Sequence, residues 1–325
     1  MGGDHAPSVV VEGAVRALNT SNGDLEVVLV GQEGAVRAAM EGVGHGASTV
    51  LHLLDASEVI GMGEAPASAV KTKRSSSIHL GLSALKQGHA QGFVSAGNTG
   101  AVMAASLFIL GRLEGVSRPS VIGFFPTTTS YCIVLDVGTN VDCRPEHLLQ
   151  FAKMGTVYAN AVMKRENPSV ALLNVGEEPG KGNDLVKAAF ELLEQAPDLN
   201  FRGNVEGRDL LHHAADVVVC DGFVGNVLLK FGESVASAFP HMIAEEIGRR
   251  QLSGADTQVV LDLLSAVRRR FNYEEYGGAP LLGVDGNVII GHGGSSARAV
   301  ERMILMAADE AREGVVGAIA ASIGI

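Results

Sequence analysis

The sequence predicts an α/β fold, a doubly wound, mainly parallel sheet carrying a helical hairpin. Three observations predict it. Short apolar runs of strand type recur along the chain. Amphipathic stretches of helical period separate them. Several of the runs are apolar without a break, as in strands buried on both faces of a sheet. The 325 residues, 46% of them apolar, suffice for a real core. We expect residues 1–325 to form one domain, with the hairpin over 231–276 inside it.

In chain order, strands are expected at 26–31, 49–54, 92–95, 120–125, 130–137, 169–174, 216–220 and 288–291. Helical patterns lie between them, at 33–41, 76–87, 147–163 and 184–193 among others. The runs ending at Phe125 and starting at Ser130 are close enough to form an antiparallel hairpin added to the parallel sheet. From Phe231 to Tyr276 the pattern is mostly helical. Gly232, Pro240, Gly248 and Ser253-Gly254 are candidate interruptions, and the tip is expected near 250–256. Met1-Gly2-Gly3-Asp4 reads as the loop that follows a strand, so a strand is expected upstream of Met1.

Composition narrows the function. With 36 acidic and 25 basic side chains the net charge is −11, which argues against binding along nucleic acid backbones but leaves room for a small anion in a local positive pocket. Three scattered cysteines make neither a disulfide framework nor a CxxC metal site, so no metal and no cofactor is expected. The opening residues resemble no secretory signal, and the longest uncharged stretch is broken by Ser95, Asn98, Thr99 and several glycines. A protein of the reducing cytoplasm is expected.

Four strand-end loops carry the candidate chemistry, where open α/β sheets bind ligands. Ser95-Ala96-Gly97-Asn98-Thr99-Gly100 leaves a strand and opens an apolar helix, a geometry that presents backbone N–H groups to an anion. The same spacing also suits an ordinary strand-to-helix turn. It is neither a Walker A loop nor a GxGxxG fingerprint. Asn174-Val175-Gly176-Glu177-Glu178 runs on to Gly180-Lys181-Gly182-Asn183, where Lys181 can reach a phosphate or a developing oxyanion, or simply be solvated. The other two loops contribute Asp136 with Asn140, and Asp221 with Asn226. Lys71, Lys73 and Arg74 form a cationic cluster before a serine-capped helix, a solvated face or a contact for an acidic partner. His5 and His292, in glycine-containing loops, are acid–base candidates, whereas His147, His212 and His213 read as structural. Cys143, near a helix start, is a position where a thiol pKa can fall, yet no adjacent histidine supplies a base.

Together the motifs at 1–7 (MGGDHAP), 95–101 (SAGNTGA), 135–155, 172–183 (LLNVGEEPGKGN), 201–211, 216–230 and 276–286 resemble the PlsX family, the bacterial acyl-ACP:phosphate transacylases, over essentially the whole chain. The resemblance implies a fold like that of phosphotransacetylases and isocitrate dehydrogenases. It implies transfer of a long-chain acyl group from acyl carrier protein to inorganic phosphate, and a homodimer associated peripherally with the membrane. The acyl phosphate would feed a membrane glycerol-3-phosphate acyltransferase in phospholipid synthesis.

On that reading phosphate sits on Ser95, Gly97, Asn98, Thr99 and Gly100. Lys181 stabilises charge, with Asn183 and Asn174 beside it, while Asp4 and His5 orient ligand or protonate the leaving thiolate. The segment 291–296 has the family's HG-and-serine character with an extra glycine, which bears on His292 and Ser295. In the hairpin, Leu261, Leu263, Leu264 and Val267 make an apolar stripe followed by Arg268, Arg269 and Arg270. That arrangement suits anionic lipid, or an intersubunit core. A phosphotransacetylase using acyl-CoA, a dehydrogenase of related fold and a non-catalytic scaffold remain as alternatives.

Overall fold

Apolar runs become buried strands, and the helical patterns between them cover both faces. A computed structural model of the chain describes residues 1–43, 51–271 and 276–323, leaving the side chains of 268–271 outside the description. The first part contains α1 (Ser8–Thr20), β1 (Val27–Gly31), α2 (Glu33–Val43), β2 (Leu51–Asp55), α3 (Pro66–Thr72), α4 (Ser77–Lys86) and β3 (Gly92–Ser95). Next come α5 (Thr99–Ala105), running into a π-helical turn (Ser106–Leu110), then β4 (Ser120–Val121), β5 (Gly123–Pro126), β6 (Tyr131–Leu135), α6 (Pro145–Ala161), β7 (Ser169–Leu173), α7 (Asp184–Glu194) and β8 (Asn200–Val205). A 3-10 turn (Gly207–His212) leads to β9 (Val217–Val219), α8 (Gly222–Arg250), α9 (Gly254–Phe271), β10 (Ala279–Leu282), β11 (Asn287–Ile290), α10 (Ala297–Arg312) and α11 (Val315–Ile323).

The strands form a five-stranded sheet of order β5-β6-β9-β7-β8, a four-stranded sheet of order β3-β11-β10-β4, and a β1-β2 pair. In the five-stranded sheet β6, β9, β7 and β8 run parallel, and β5 is the antiparallel edge supplied by the expected hairpin. The central strands are apolar at nearly every position because both faces are covered. Ile133, Leu135, Val170, Leu172, Val217 and Val219 pack on Leu148, Phe151, Met154 and Tyr158 of α6 and Leu193 of α7. The alternate residues Cys132, Val134, Ala171, Leu173 and Val218 pack on the other side with Leu210, Leu228 and Leu229. In the four-stranded sheet Val288 and Ile290 face α4 and α5, while Ile289 faces Val300 and Met303 of α10.

Three expectations are corrected. The run 120–125 is two strands, because the chain changes sheet at Ile122: Ser120 and Val121 pair with β10, and Gly123 onward pairs with β6. The helix placed from Phe231 begins at Gly222, capped by the Asp221 carboxylate accepting from Val224 N at 3.0 Å. It continues through Gly232, Pro240 and Gly248 to Arg250. Strands β8 and β10 belong to the sheets although their sequences lack a continuous apolar run. Positions 49 and 50 of an expected strand fall outside the described residues.

Helices α8 and α9 pack on each other. No described residue of α9 is buried, and Leu261, Leu263 and Val267 of the apolar stripe are exposed. The side chains of Arg268, Arg269 and Arg270 are outside the described residues. Among the described residues no helix is long and apolar enough to cross a membrane. One buried acid lies far from any strand end in sequence. Glu310 of α10 is enclosed beside the Tyr158 hydroxyl, and burial pushes its carboxyl up to about 8.

Candidate active site

The candidate residues gather in two neighbourhoods. The first lies at the carboxyl end of β3, where the N-terminal loop and the 291–296 loop meet the 95–100 turn. A Cβ placed on Gly2 would lie 2.7 Å from the Cα of Gly97, so the two backbones touch. Asp4 N donates to the Gly293 carbonyl at 2.8 Å. Gly2, Gly3, His5, Ala96, Gly293 and Ser295 line a small pocket there. Asp4, His5 and Thr99 are exposed, and Ser95 is half-buried.

Some of the expected phosphate donors are already committed. Asn98 is buried; its Oδ1 accepts from Ala101 N at 3.0 Å as the cap of α5. Its Nδ2 donates to the carbonyls of Gly61, Met62 and Glu64 at 3.2, 3.0 and 3.1 Å. Asn98 therefore ties the 61–64 loop to the turn and has no side-chain N–H left for phosphate. The Gly97 amide donates to Ser95 Oγ at 3.1 Å and is likewise spent. The donors that remain are the Ser95 and Thr99 hydroxyls and the Thr99 and Gly100 amides, the last two at the start of α5 where an N–H has no acceptor within the helix.

The 61–64 loop has further ties. Glu64 Oε1 accepts from Gly61 N and from Lys73 Nζ, each at 2.6 Å, and the Lys73 bond holds the carboxyl below its usual range. Lys73 thus leaves the cationic cluster as a structural ion pair, while Lys71 and Arg74 stay exposed. In the 291–296 loop, Ser295 is buried and its hydroxyl donates to the His292 carbonyl at 2.6 Å, so it too builds the frame.

The second neighbourhood lies at the parallel carboxyl ends of β6, β9 and β7, as the pairing of Leu135 and Leu172 with Val219 requires. Asp136 is fully buried. Its Oδ1 accepts from Gly138 N and Thr139 N at 3.2 and 3.0 Å, and its Oδ2 from Asn140 N and Nδ2 at 2.6 and 2.7 Å. Burial raises its pKa, opposed by the donors from Thr139 and Asn140. Asn140 Nδ2 also reaches the Pro119 carbonyl at 2.7 Å. Both residues shape the loop instead of facing a ligand. Asp221 caps α8, and Gly225 sits so close to Asp136 that a Cβ there would lie 1.9 Å from its carbonyl oxygen. Asn226, next to Gly138, is exposed.

The β7 loop carries Lys181, exposed and lying across Gly176: a Cβ on that glycine would meet Lys181 Cγ at 3.1 Å. Asn174 clasps the loop, Nδ2 donating to the Lys181 carbonyl at 3.2 Å and Oδ1 accepting from Val175 N at 2.8 Å. Asn183 caps α7, with Oδ1 accepting from Val186 N at 3.0 Å. Of the fourteen candidates, Lys181, Asn183, Asn226, Asp4, His5, Ser95 and Thr99 keep an exposed or half-buried side chain, as do Asn174 and Asp221, whose side chains are engaged in the clasp and the α8 cap. Asn98, Asp136 and Asn140 are frame.

The remaining histidine and cysteine expectations divide. His147, buried at the start of α6, accepts from Arg144 N at 3.1 Å, and burial lowers its pKa. The Cys143 thiol does not fall but is pushed up to about 11, first by burial and then by Asp136 and Asp221. Among the described residues no group of histidine, cysteine and carboxylate side chains is arranged to hold a metal ion. Sequence reading missed Glu64 and Asn204. Asn204 donates to the Glu177 and Glu178 carbonyls at 3.5 and 3.0 Å; its only signal was a polar residue where an apolar one would suit a strand.

Comparison with known proteins gives the family and the fold. A sequence model of the family described as "Fatty acid synthesis protein" matches residues 1–317. The chain belongs to this family. A phosphate acyltransferase of Salinibacter ruber is 55% identical over 319 residues, covering 98% of this chain and 94% of that protein. One from Heliobacterium modesticaldum is 46% identical over 319 residues, with the same 98% and 94% coverage. Among solved structures, a phosphotransacetylase from Streptococcus pyogenes superposes with a TM-score of 0.61 at 20% identity, covering 93% of this chain and 91% of that one. At that identity the likeness speaks to the fold, and it bears out the doubly wound α/β expectation.

Proposed function

We propose that the protein is a phosphate acyltransferase that moves a long-chain acyl group from acyl carrier protein to inorganic phosphate, supplying acyl phosphate for phospholipid synthesis. The observation that carries this reading is 46–55% identity to phosphate acyltransferases over 98% of the chain, joined to exposed donors at the strand ends. Phosphate is itself a nucleophile, so no acyl-enzyme is needed and an inert Cys143 is no obstacle.

On this reading the two neighbourhoods face one cleft. Phosphate lies at the 95–100 turn, held by the Ser95 and Thr99 hydroxyls and the Thr99 and Gly100 amides. A phosphate oxygen attacks the thioester carbonyl carbon, the C–O bond forms, and the carbonyl oxygen becomes an oxyanion. Lys181, with Asn183 and Asn174 beside it, stabilises that charge. The intermediate collapses with cleavage of the C–S bond, and the thiolate takes a proton from His5, oriented by Asp4, or from water. Holding both reactants against each other supplies the rest of the acceleration.

Acyl carrier protein is acidic on this reading and docks on exposed cations such as Lys71 and Arg74. A second copy of the chain, or a lipid surface, covers the exposed stripe of α9. The protein works in the cytoplasm, peripherally on the inner face of the membrane, next to a glycerol-3-phosphate acyltransferase. Acyl-phosphate formation from palmitoyl-ACP, with palmitoyl-CoA in parallel and phosphate omitted as control, tests the function. Phosphate-dependent product from the ACP donor is expected; product from the CoA donor alone would make the protein a phosphotransacetylase.

A further inference from the structure

We infer that Asn204 is a positioning residue for Lys181, acting from the neighbouring strand through the Glu178 carbonyl. The inference rests on the reading of Lys181 given above.

Asn204 is an unfavourable choice for its place. It lies on β8, where asparagine is a poor strand former, and it is 6% exposed. Its Nδ2 donates to the carbonyls of Glu177 and Glu178 at 3.5 and 3.0 Å, while its Oδ1 is buried with no hydrogen-bond partner among the described residues. The amide cannot be turned over, since Oδ1 would then face two carbonyl oxygens. A side chain that leaves one buried acceptor unpaired gains little stability from the other end. Its effect is geometric.

The strand is built to aim it. Val170 pairs with Phe201 and Leu172 with Asn204, so three steps on β8 oppose two on β7. The extra residue is a bulge, and Gly203 within it has φ +91°. Without the bulge, Asn204 would point to the opposite face of the sheet.

The atom it grips leads to Lys181. The Glu178 carbonyl also accepts the Lys181 amide at 3.0 Å, and the Lys181 carbonyl accepts from Asn174 Nδ2 at 3.2 Å. Lys181 is therefore tied at its amide to β8 through Asn204 and at its carbonyl to the end of β7. The side chain therefore leaves a backbone held at both its amide and its carbonyl, beside Gly176.

The test is a double-mutant cycle on the full chain, reading kcat and KM for acyl transfer from acyl-ACP to phosphate. Asn204→Ala and Asn204→Asp are each made in the Lys181 and the Lys181→Ala backgrounds. With Lys181 present, kcat is expected to fall about 10-fold or more with KM for acyl-ACP within about 2-fold, because a misplaced charge weakens the transition state more than binding. With Lys181→Ala the same changes are expected to cost less than about 2-fold.

Equal losses in both backgrounds, or unchanged activity of Asn204→Ala and Asn204→Asp, would overturn the inference. Full activity of Lys181→Ala alone would instead overturn the role of Lys181, a separate and recognisable result. If Asn204→Ala has no cooperative thermal transition, Asn204→Asp, which keeps the volume, is judged by the same criterion.

Discussion

Asn174 Nδ2 donates to the carbonyl of Lys181 across 3.2 Å, bridging seven positions of a glycine-rich loop. The last residue of β7 is Leu173, so this bond transfers the rigidity of a buried parallel strand directly to the one exposed lysine of the candidate site. A Cβ on Gly182, where φ is +91°, would lie 2.5 Å from Asn174 Oδ1, so the clasp closes only over a glycine. The same economy runs through the site. Amide side chains build the loops, and the groups left exposed are those able to meet substrate.

Asn98→Ala is expected to damage both fold and phosphate binding. The change removes a helix cap, worth about 1 kcal/mol, and leaves three loop carbonyls without their donor, for a total of about 2–4 kcal/mol. The freed 61–64 loop lies against the turn, so KM for phosphate should rise in parallel. Urea unfolding together with phosphate titrations checks both; an unchanged KM in a destabilised protein would separate the loop from the site.

Much of the fold was legible in the sequence because burial on two faces writes itself as unbroken apolar runs. Val170 to Leu173 and Val217 to Val219 are such runs, and both lie in interior strands. β8 is an edge strand with a bulge, so Phe201-Arg202-Gly203-Asn204 carries no such signature. β10 is four residues long and contains Pro280, whose carbonyl accepts from Ile122 N. The loops of the site were legible from their glycines. The division of labour within them was not, because the partners of Asn98 lie 34 to 37 positions away and nothing local marks them.

Stability should fall as pH rises from the ordinary glutamate range toward 8, through Glu310. Its folded pKa of about 8 exceeds its ordinary value of 4.5, so between these the folded chain holds a proton that the unfolded chain has released. The unfolded state then binds fewer protons, and the slope of unfolding free energy against pH is negative. Glu310→Gln should flatten that slope and be the more stable protein at alkaline pH, by a few kcal/mol at about 1.4 kcal/mol per pKa unit. Thermal denaturation of both proteins across this range decides it; parallel curves would contradict the assignment.

The thiols should be inert in the folded enzyme. Cys132 is pushed up to about 12 and Cys143 to about 11, first by burial in both cases, so neither carries appreciable thiolate at neutral pH. Iodoacetamide at neutral pH should leave the folded mass and the activity unchanged, and Cys143→Ser should retain activity. A single rapid adduct with loss of turnover would place a cysteine in the chemistry.

Lys181→Ala shows whether this lysine carries the charge of acyl transfer, with acyl-phosphate formation from acyl-ACP and phosphate as the readout. Loss of one charge-stabilising group at a tetrahedral intermediate costs about 10²- to 10³-fold in kcat, and a fall of that size in a protein with an unchanged melting temperature is the expected result. Turnover equal to that of the unaltered chain would remove Lys181 from the chemistry.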